Sequence, residues 1–240
     1  MSIFRSGRRV PDSTARVVVT FKFLALFLLA SLYSITLPQA QAQSPTLVSS
    51  VFKGGTDGWK GVVDGDLQVQ IAKLRGQVAP PKPARKGERN VRPSRDATSP
   101  GGGHITLAAL GGDGRTLYFE APNKYKGDRR AAYGGALVVQ IRQAATRKFS
   151  NAPFVVLASK QTILFYDLGR NPGTVWERIE VPLKEGAGWI NPAKGDRVPA
   201  TKADLESALG ALSELWIKAE YSFDEDRADL AEVQLNKPAP

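Results

Sequence analysis

The chain has 240 residues, 42% of them hydrophobic, and a formal net charge of +10. That length and apolar content allow one full core and exclude wholesale disorder. With no cysteine and one histidine, disulfide frameworks, thiolate nucleophiles and the usual His and Cys zinc sites are excluded as well.

Along the chain, Arg5, Arg8, Arg9, Arg16 and Lys22 form a basic region ahead of an apolar run from Phe23 to Leu37. Ala40-Gln41-Ala42 then places small residues at a cleavage site. This pattern predicts a signal peptide over 1–42 and a mature start at Gln43, leaving 43–240 as one domain. The apolar run is interrupted by Ser31, Ser34 and Thr36 and falls short of the roughly 20 apolar residues of a spanning helix. Membrane contact is therefore expected only through an uncleaved signal, and the protein is expected to be secreted or periplasmic.

Phe52-Lys53-Gly54-Gly55-Thr56-Asp57-Gly58-Trp59 is a turn ahead of a first alternating segment, in which Leu67, Val69 and Ile71 read as a strand. Residues 73–100 break the pattern. Five prolines and eight basic residues stand there against Glu88 and Asp96, which disfavours helix and strand alike and predicts a flexible insertion. Its net charge equals that of the whole chain after residue 42, so it is either a solvated loop or an arm for polyanions.

Ile105, Leu107 and Ala109 alternate with polar or small residues. After Gly111-Gly112-Asp113-Gly114, Leu117, Phe119 and Ala121 do the same, which reads as a hairpin. A Pro- and Gly-punctuated link, Ala121 to Gly135, follows. Further strands are predicted over 136–142, 153–159, 162–168, 175–183, 214–223 and 230–235. A helix capped by Thr201, with Leu205, Leu209 and Leu212 on its apolar face, precedes the last long strand. About nine or ten short strands with turn signals between them predict an all-β, antiparallel β-sandwich or jelly roll with one short helix.

The spaced elements Gly55-Thr56-Asp57-Gly58-Trp59, Ala121-Pro122, Lys124-Tyr125-Lys126-Gly127-Asp128, Tyr133-Gly134-Gly135, Trp176 and Gly188-Trp189 occur in a consistent order. Together they resemble the laminin IV type A (laminin B) domain over about Val51 to Leu235. The resemblance implies a galactose-binding-like sandwich, an extracellular binding or structural module without catalytic activity. It also marks Gly55, Asp57, Gly58, Trp59, Gly127, Gly134 and Gly135 as a fold signature.

Catalysis finds little support in the residues themselves. His104 is the only possible imidazole base, and no Gly-x-Ser-x-Gly nucleophile elbow exists. The acidic group Asp224, Glu225, Asp226 and Asp229 reads as a solvated turn, although a carbohydrate-active enzyme with paired carboxylates stays open as the alternative. Many galactose-binding-like modules hold a structural calcium. Here Lys53 and Ala231 or Glu232 occupy the positions where acidic ligands would fall, so calcium is disfavoured and no cofactor is expected, with Asp57, Asp64 and Asp66 the residual oxygen donors.

Ligand-binding candidates are Lys124, Tyr125, Asp128, Tyr133, Trp176, Trp189 and Trp216. Strand parity points Trp176 away from Val175, Ile179 and Val181, and points Trp216 the same way as Lys218 and Glu220. The expected partner is a glycan or another extracellular or envelope macromolecule, with a polyanion as the partner of the basic insertion and no nucleic acid. A protein interaction domain is the remaining alternative.

Overall fold

Alternating burial along short strands sorts the chain into two facing antiparallel sheets, as an apolar face on each requires. The structure is a computed structural model that describes residues 44–77, 91–96, 98–109, 115–144, 151–222 and 226–240, all within the compact unit Gln41–Pro240. The signal-peptide reading, the Gly111–Gly114 turn and the acids Asp224 and Glu225 lie outside the described residues.

The first sheet runs β3 (Arg92–Ser94), β4 (His104–Ala109), β12 (Asp226–Asn236), β6 (Ala136–Gln143) and β9 (Glu177–Pro182), with β1 (Thr46–Val51) also paired to β12. The second runs β10 (Trp189–Ile190), β8 (Ile163–Tyr166), β7 (Val155–Ala158), β11 (Glu214–Lys218), β5 (Leu117–Glu120) and β2 (Lys60–Val63). One flank of β12 carries β4 along its first half and β1 along its second, while β6 runs along the other flank. A register shift between Leu230 and Glu232 lets Leu230 and Val233 both reach the core despite their odd spacing.

The core lies between the sheets. Leu107, Val139 and Ile141 face Phe119, Leu157 and Ile217 there. Each such side chain contributes roughly 1.5–3 kcal/mol on burial. In a chain without cysteine, this apolar contact is what replaces covalent cross-links.

Among the described residues two α-helices are present rather than the single one expected. Helix α2 (Lys202–Gly210) begins with a capping box in which Thr201 and Asp204 satisfy each other's backbone N–H groups, and Leu205 and Leu209 are fully buried. Helix α1 (Gly65–Leu74) replaces the strand predicted from Leu67, Val69 and Ile71. Leu67, Ile71 and Leu74 also fit helical spacing, and they form the side of α1 that covers the second sheet, where Leu67 and Ile71 are buried.

Two further expectations are corrected. Ile105–Ala109 and Leu117–Ala121 do not form a hairpin: β4 pairs with β3 and β12, and β5 pairs with β2 and β11 in the opposite sheet. Both strands have one apolar face, and that is satisfied equally by facing each other across the core. The insertion at 73–100 is structured at both ends, by the last turn of α1 and by β3, and residues 78–90 lie outside the described part. Among the described residues no helix is long and apolar enough to cross a membrane.

Candidate functional site

The signature segment is built around a tight turn. Trp59 N donates to Thr56 O at 2.9 Å, and Asp57 and Gly58 both take positive φ, 52° and 80°, which is why an Asp-Gly pair suits the place. Trp59 then enters the core with its Nε1 donating to Ser50 Oγ at 2.9 Å and its ring edge-on to Phe52 and Tyr125. Lys124 closes the frame from outside. Its Nζ donates to Ser49 O at 2.6 Å and pairs with the Asp57 carboxylate.

Tyr125 is fully buried, and its hydroxyl donates to Val233 O at 2.8 Å. Burial pushes this phenol above its ordinary range. The ring thus anchors β12, which corrects its candidacy as a ligand-facing residue. Asp128 is exposed and grips Arg130 through Nε at 3.0 Å and Nη2 at 2.6 Å; hydrogen bonds from Arg130 hold its carboxyl at about 2. Tyr133 is half-buried beneath Lys202, whose Nζ lies 5.6 Å from the ring centre. Gly127 bridges to Leu212, Gly134 N donates to Leu183 O, and Gly55 lies in a bend. At Gly135 a Cβ would stand 2.1 Å from Asn236 O, so only glycine fits this close approach.

Trp176 lies on the outer face of the first sheet, as parity predicts, but β9 starts one residue later and Val175 is 73% exposed rather than in the core. The Trp176 ring meets Arg142 at 4.4 Å and His104 at 5.5 Å. Ser99 Oγ is 2.8 Å from His104 Nδ1, and Asp229 Oδ1 is 3.8 Å from Nε2. This resembles a hydrolase relay in composition only. Asp229 is held by Thr106 at 2.8 Å and Arg142 at 2.9 Å, and Ser99 is 5% exposed. Burial holds the His104 imidazole below its ordinary range, against the pull of Asp229.

The outer face of the second sheet is closed by α1. Trp216 points outward as its parity predicts, yet it is 4% exposed because Leu67 and Ile71 lie over it. Tyr118, opposite in parity to Leu117 and Phe119, stands beside it with ring centres 5.7 Å apart. That alternation was the available signal for Tyr118, which sequence reasoning left out. Trp189 is buried, donates Nε1 to Pro182 O at 2.7 Å and packs on Tyr166, so its candidacy as a ligand-facing residue is corrected as well.

Lys218 is a second group that sequence reasoning passed over. It is 2% exposed, donates Nζ to Ala152 O at 3.1 Å and lies 5.2 Å from the Tyr221 ring centre. Desolvation pushes its ammonium down to about 8. Asp226 is not a solvated turn residue, since it is buried and accepts from the backbone N–H groups of Tyr221 and Arg227, both at 2.7 Å. Among the described residues no group of three or more acidic or histidine side chains is placed to hold a metal ion.

Comparison with known proteins bears on the same region. The chain is 27% identical over 152 residues to the mouse basement membrane-specific heparan sulfate proteoglycan core protein, covering 61% of this chain and 4% of that one. It is 26% identical over 121 residues to the basement membrane proteoglycan of Caenorhabditis elegans, covering 50% and 4%. The chain therefore spans a small fraction of these relatives. Among solved structures, the L4b domain of human laminin alpha-2 aligns with a TM-score of 0.46 and 20% identity over 55% of this chain and 79% of that one. The solution structure of CtCBM11 aligns with a TM-score of 0.48 and 12% identity over 82% and 98%. The family model for laminin B (domain IV) matches residues 118–239, from the second residue of β5 through β12, and the chain belongs to that family.

Proposed function

We propose that the chain is an exported, non-catalytic binding module of the extracellular space or cell envelope, and that its ligand is a glycan borne by a neighbouring macromolecule. One observation supports this most. The family signature is spent on architecture through Trp59, Tyr125 and Gly135, while Trp176 and Trp216, each with a polar edge, lie on the outer sheet faces. The basement-membrane names of the relatives support an extracellular setting.

The enzymatic alternative needs two carboxylates facing each other across an open cleft. Asp226 and Asp229 are buried and committed to hydrogen bonds within the protein, so neither supports it. Two measurements test the reading. Mass spectrometry of the exported protein is expected to give an N-terminus close to Gln43, and a membrane-integrated product keeping residues 1–42 overturns export. A glycan array probed with the folded mature protein is expected to retain at least one glycan class, and a blank array overturns glycan binding.

A further inference from the structure

Beneath α1 the structure holds an unusual combination. Trp216 and Tyr118 lie side by side on the outer face of the second sheet, at 4% and 0% exposure. The indole Nε1 of Trp216 and the hydroxyl of Tyr118 are both buried, and neither has a hydrogen-bond partner among the described residues. Two such atoms under one short helix are an exception to the rule that buried polar groups are bonded. A purely structural apolar patch would be served as well by phenylalanine.

The cover itself is weakly held. Helix α1 has ten residues and starts without a side-chain capping bond, whereas isolated helices shorter than about 12–15 residues are marginal in water. Among the described residues its ties include Gln70 to Glu214 at 3.5 Å, Arg75 donating to Pro192 O and to the exposed Asp196, and the N-cap Asp64 N donating to Thr116 O at 3.1 Å. The apolar contacts of Leu67, Ile71 and Leu74 supply the rest. A helix so short that leaves the sheet also melts, so lifting and unfolding are one event.

What the uncovered face would accept follows from its chemistry. Two adjacent aromatic faces suit the apolar side of a pyranose ring, and an N–H and an O–H at their edges suit its hydroxyls. An apolar helix, its carbonyls already bonded internally, would leave both atoms as unsatisfied as α1 does. Glu120 and Glu214 stand at the flanks of Trp216 in the sheet, Glu120 opposite it on β5 and Glu214 two residues before it. Glu120 is already paired with Lys126 at 2.7 Å, so these flanks offer an acidic glycan no cation that is not already engaged.

We propose that α1 is a displaceable cover over a carbohydrate platform formed by Trp216 and Tyr118, and that a neutral glycan chain binds there when the helix lifts. This rests on the glycan-binding reading above and assigns it a site. In the closed state the platform is unavailable, so apparent affinity is reduced by the fraction of molecules in which α1 is open. Loosening the cover therefore tightens binding without touching the platform.

The test is calorimetric titration of the mature protein with neutral β-linked glucan, xylan and mannan hexasaccharides, with thermal unfolding run in parallel. Arg75→Ala, which removes a tie of α1 remote from the platform, is expected to bind at least one hexasaccharide about tenfold more tightly than the wild type. Tyr118→Phe is expected to leave the unfolding midpoint unchanged or higher, because its hydroxyl has no partner to lose, and to bind about tenfold more weakly. Hydrogen exchange of the α1 amides is expected to quicken when the sugar is added. Equal affinity in wild type, Arg75→Ala and Tyr118→Phe overturns the covered platform while leaving glycan binding elsewhere on the protein intact. Unchanged α1 exchange on saturation overturns the displacement. Absence of binding in every folded variant overturns both the platform and the glycan reading.

Discussion

Tyr125 and Val233, 108 residues apart in sequence, are joined by a hydrogen bond of 2.8 Å from the phenol to the backbone carbonyl. The bond fastens the short 3-10 turn Asn123–Tyr125 to the middle of β12. Tyr125→Phe keeps the ring contact with Trp59 but removes the donor. The expected loss is about 1–2 kcal/mol of stability, read as a lower urea midpoint at unchanged slope, and an unchanged midpoint would show the bond to be dispensable.

Gly135 gives a sharper case. A methyl group there would sit 2.1 Å from Asn236 O, in a region where backbone must move to admit it. Gly135→Ala is expected to destabilise by about 3 kcal/mol or more, whereas alanine at Gly55, where nothing lies within 4 Å, is expected to stay within about 0.5 kcal/mol. Equal melting of the two variants would contradict the close approach.

Lys218 sets a pH dependence. Its folded-state ammonium titrates at about 8 against 10.5 when unfolded, so between those values the unfolded chain holds more protons. Stability is expected to rise across pH 8 to 10, by about 1–2 kcal/mol. Above that, the buried phenols of Tyr118 and Tyr221, both raised, reverse the trend, since tyrosines of the unfolded chain ionise first. Below pH 6.5 the depressed His104 makes stability fall as acid protonates the unfolded imidazole. Chemical denaturation across pH 5 to 11 reads all three limbs, and Lys218→Met is expected to abolish the rise.

The basic insertion offers a test independent of the sheet faces. If residues 78–90 form an arm for polyanions, heparin binding weakens steeply with salt and disappears on their deletion. The deletion stops short of β3 and Ser99, so the melting midpoint is expected to hold. Equal retention by both proteins on a heparin column would reduce the insertion to a solvated loop.

Calcium is expected to leave the melting midpoint where chelator puts it. Asp57, one of the residual donors, is already paired with Lys124. A clear rise in millimolar calcium would reveal a ligand that binds the native state.

Much of the architecture was legible because period-two burial is a direct record of one-sided strands. The Thr201 cap, the outward parity of Trp176 and Trp216 and the inward parity of Ile179 and Val181 all follow from it or from capping chemistry. Two things were not legible, for definite reasons. Leu67 and Ile71 fit a strand and a helix equally over so few residues, and only the sheet beneath them selects the helix. The partner of β4 was also hidden, because alternation says that a strand has an apolar face and not which strand lies beside it. The burial of Trp216 and the isolation of Tyr118 follow from the first of these, since both depend on a cover supplied by a distant segment.

The position of β12 has a consequence for how the molecule comes into being. Its partners β1, β4 and β6 all precede it by at least about eighty residues of chain, and the strand that holds them together begins at Asp226. Until β12 is available, the first sheet has edges but no centre. A chain leaving the ribosome or a translocation channel from its N-terminus cannot close the sandwich early, and topologies with such distant pairings fold in milliseconds to seconds rather than microseconds. The delay keeps the polypeptide threadable until β12 is delivered, and loss of β12 would leave the β3–β4 and β6–β9 pairs with no strand between them.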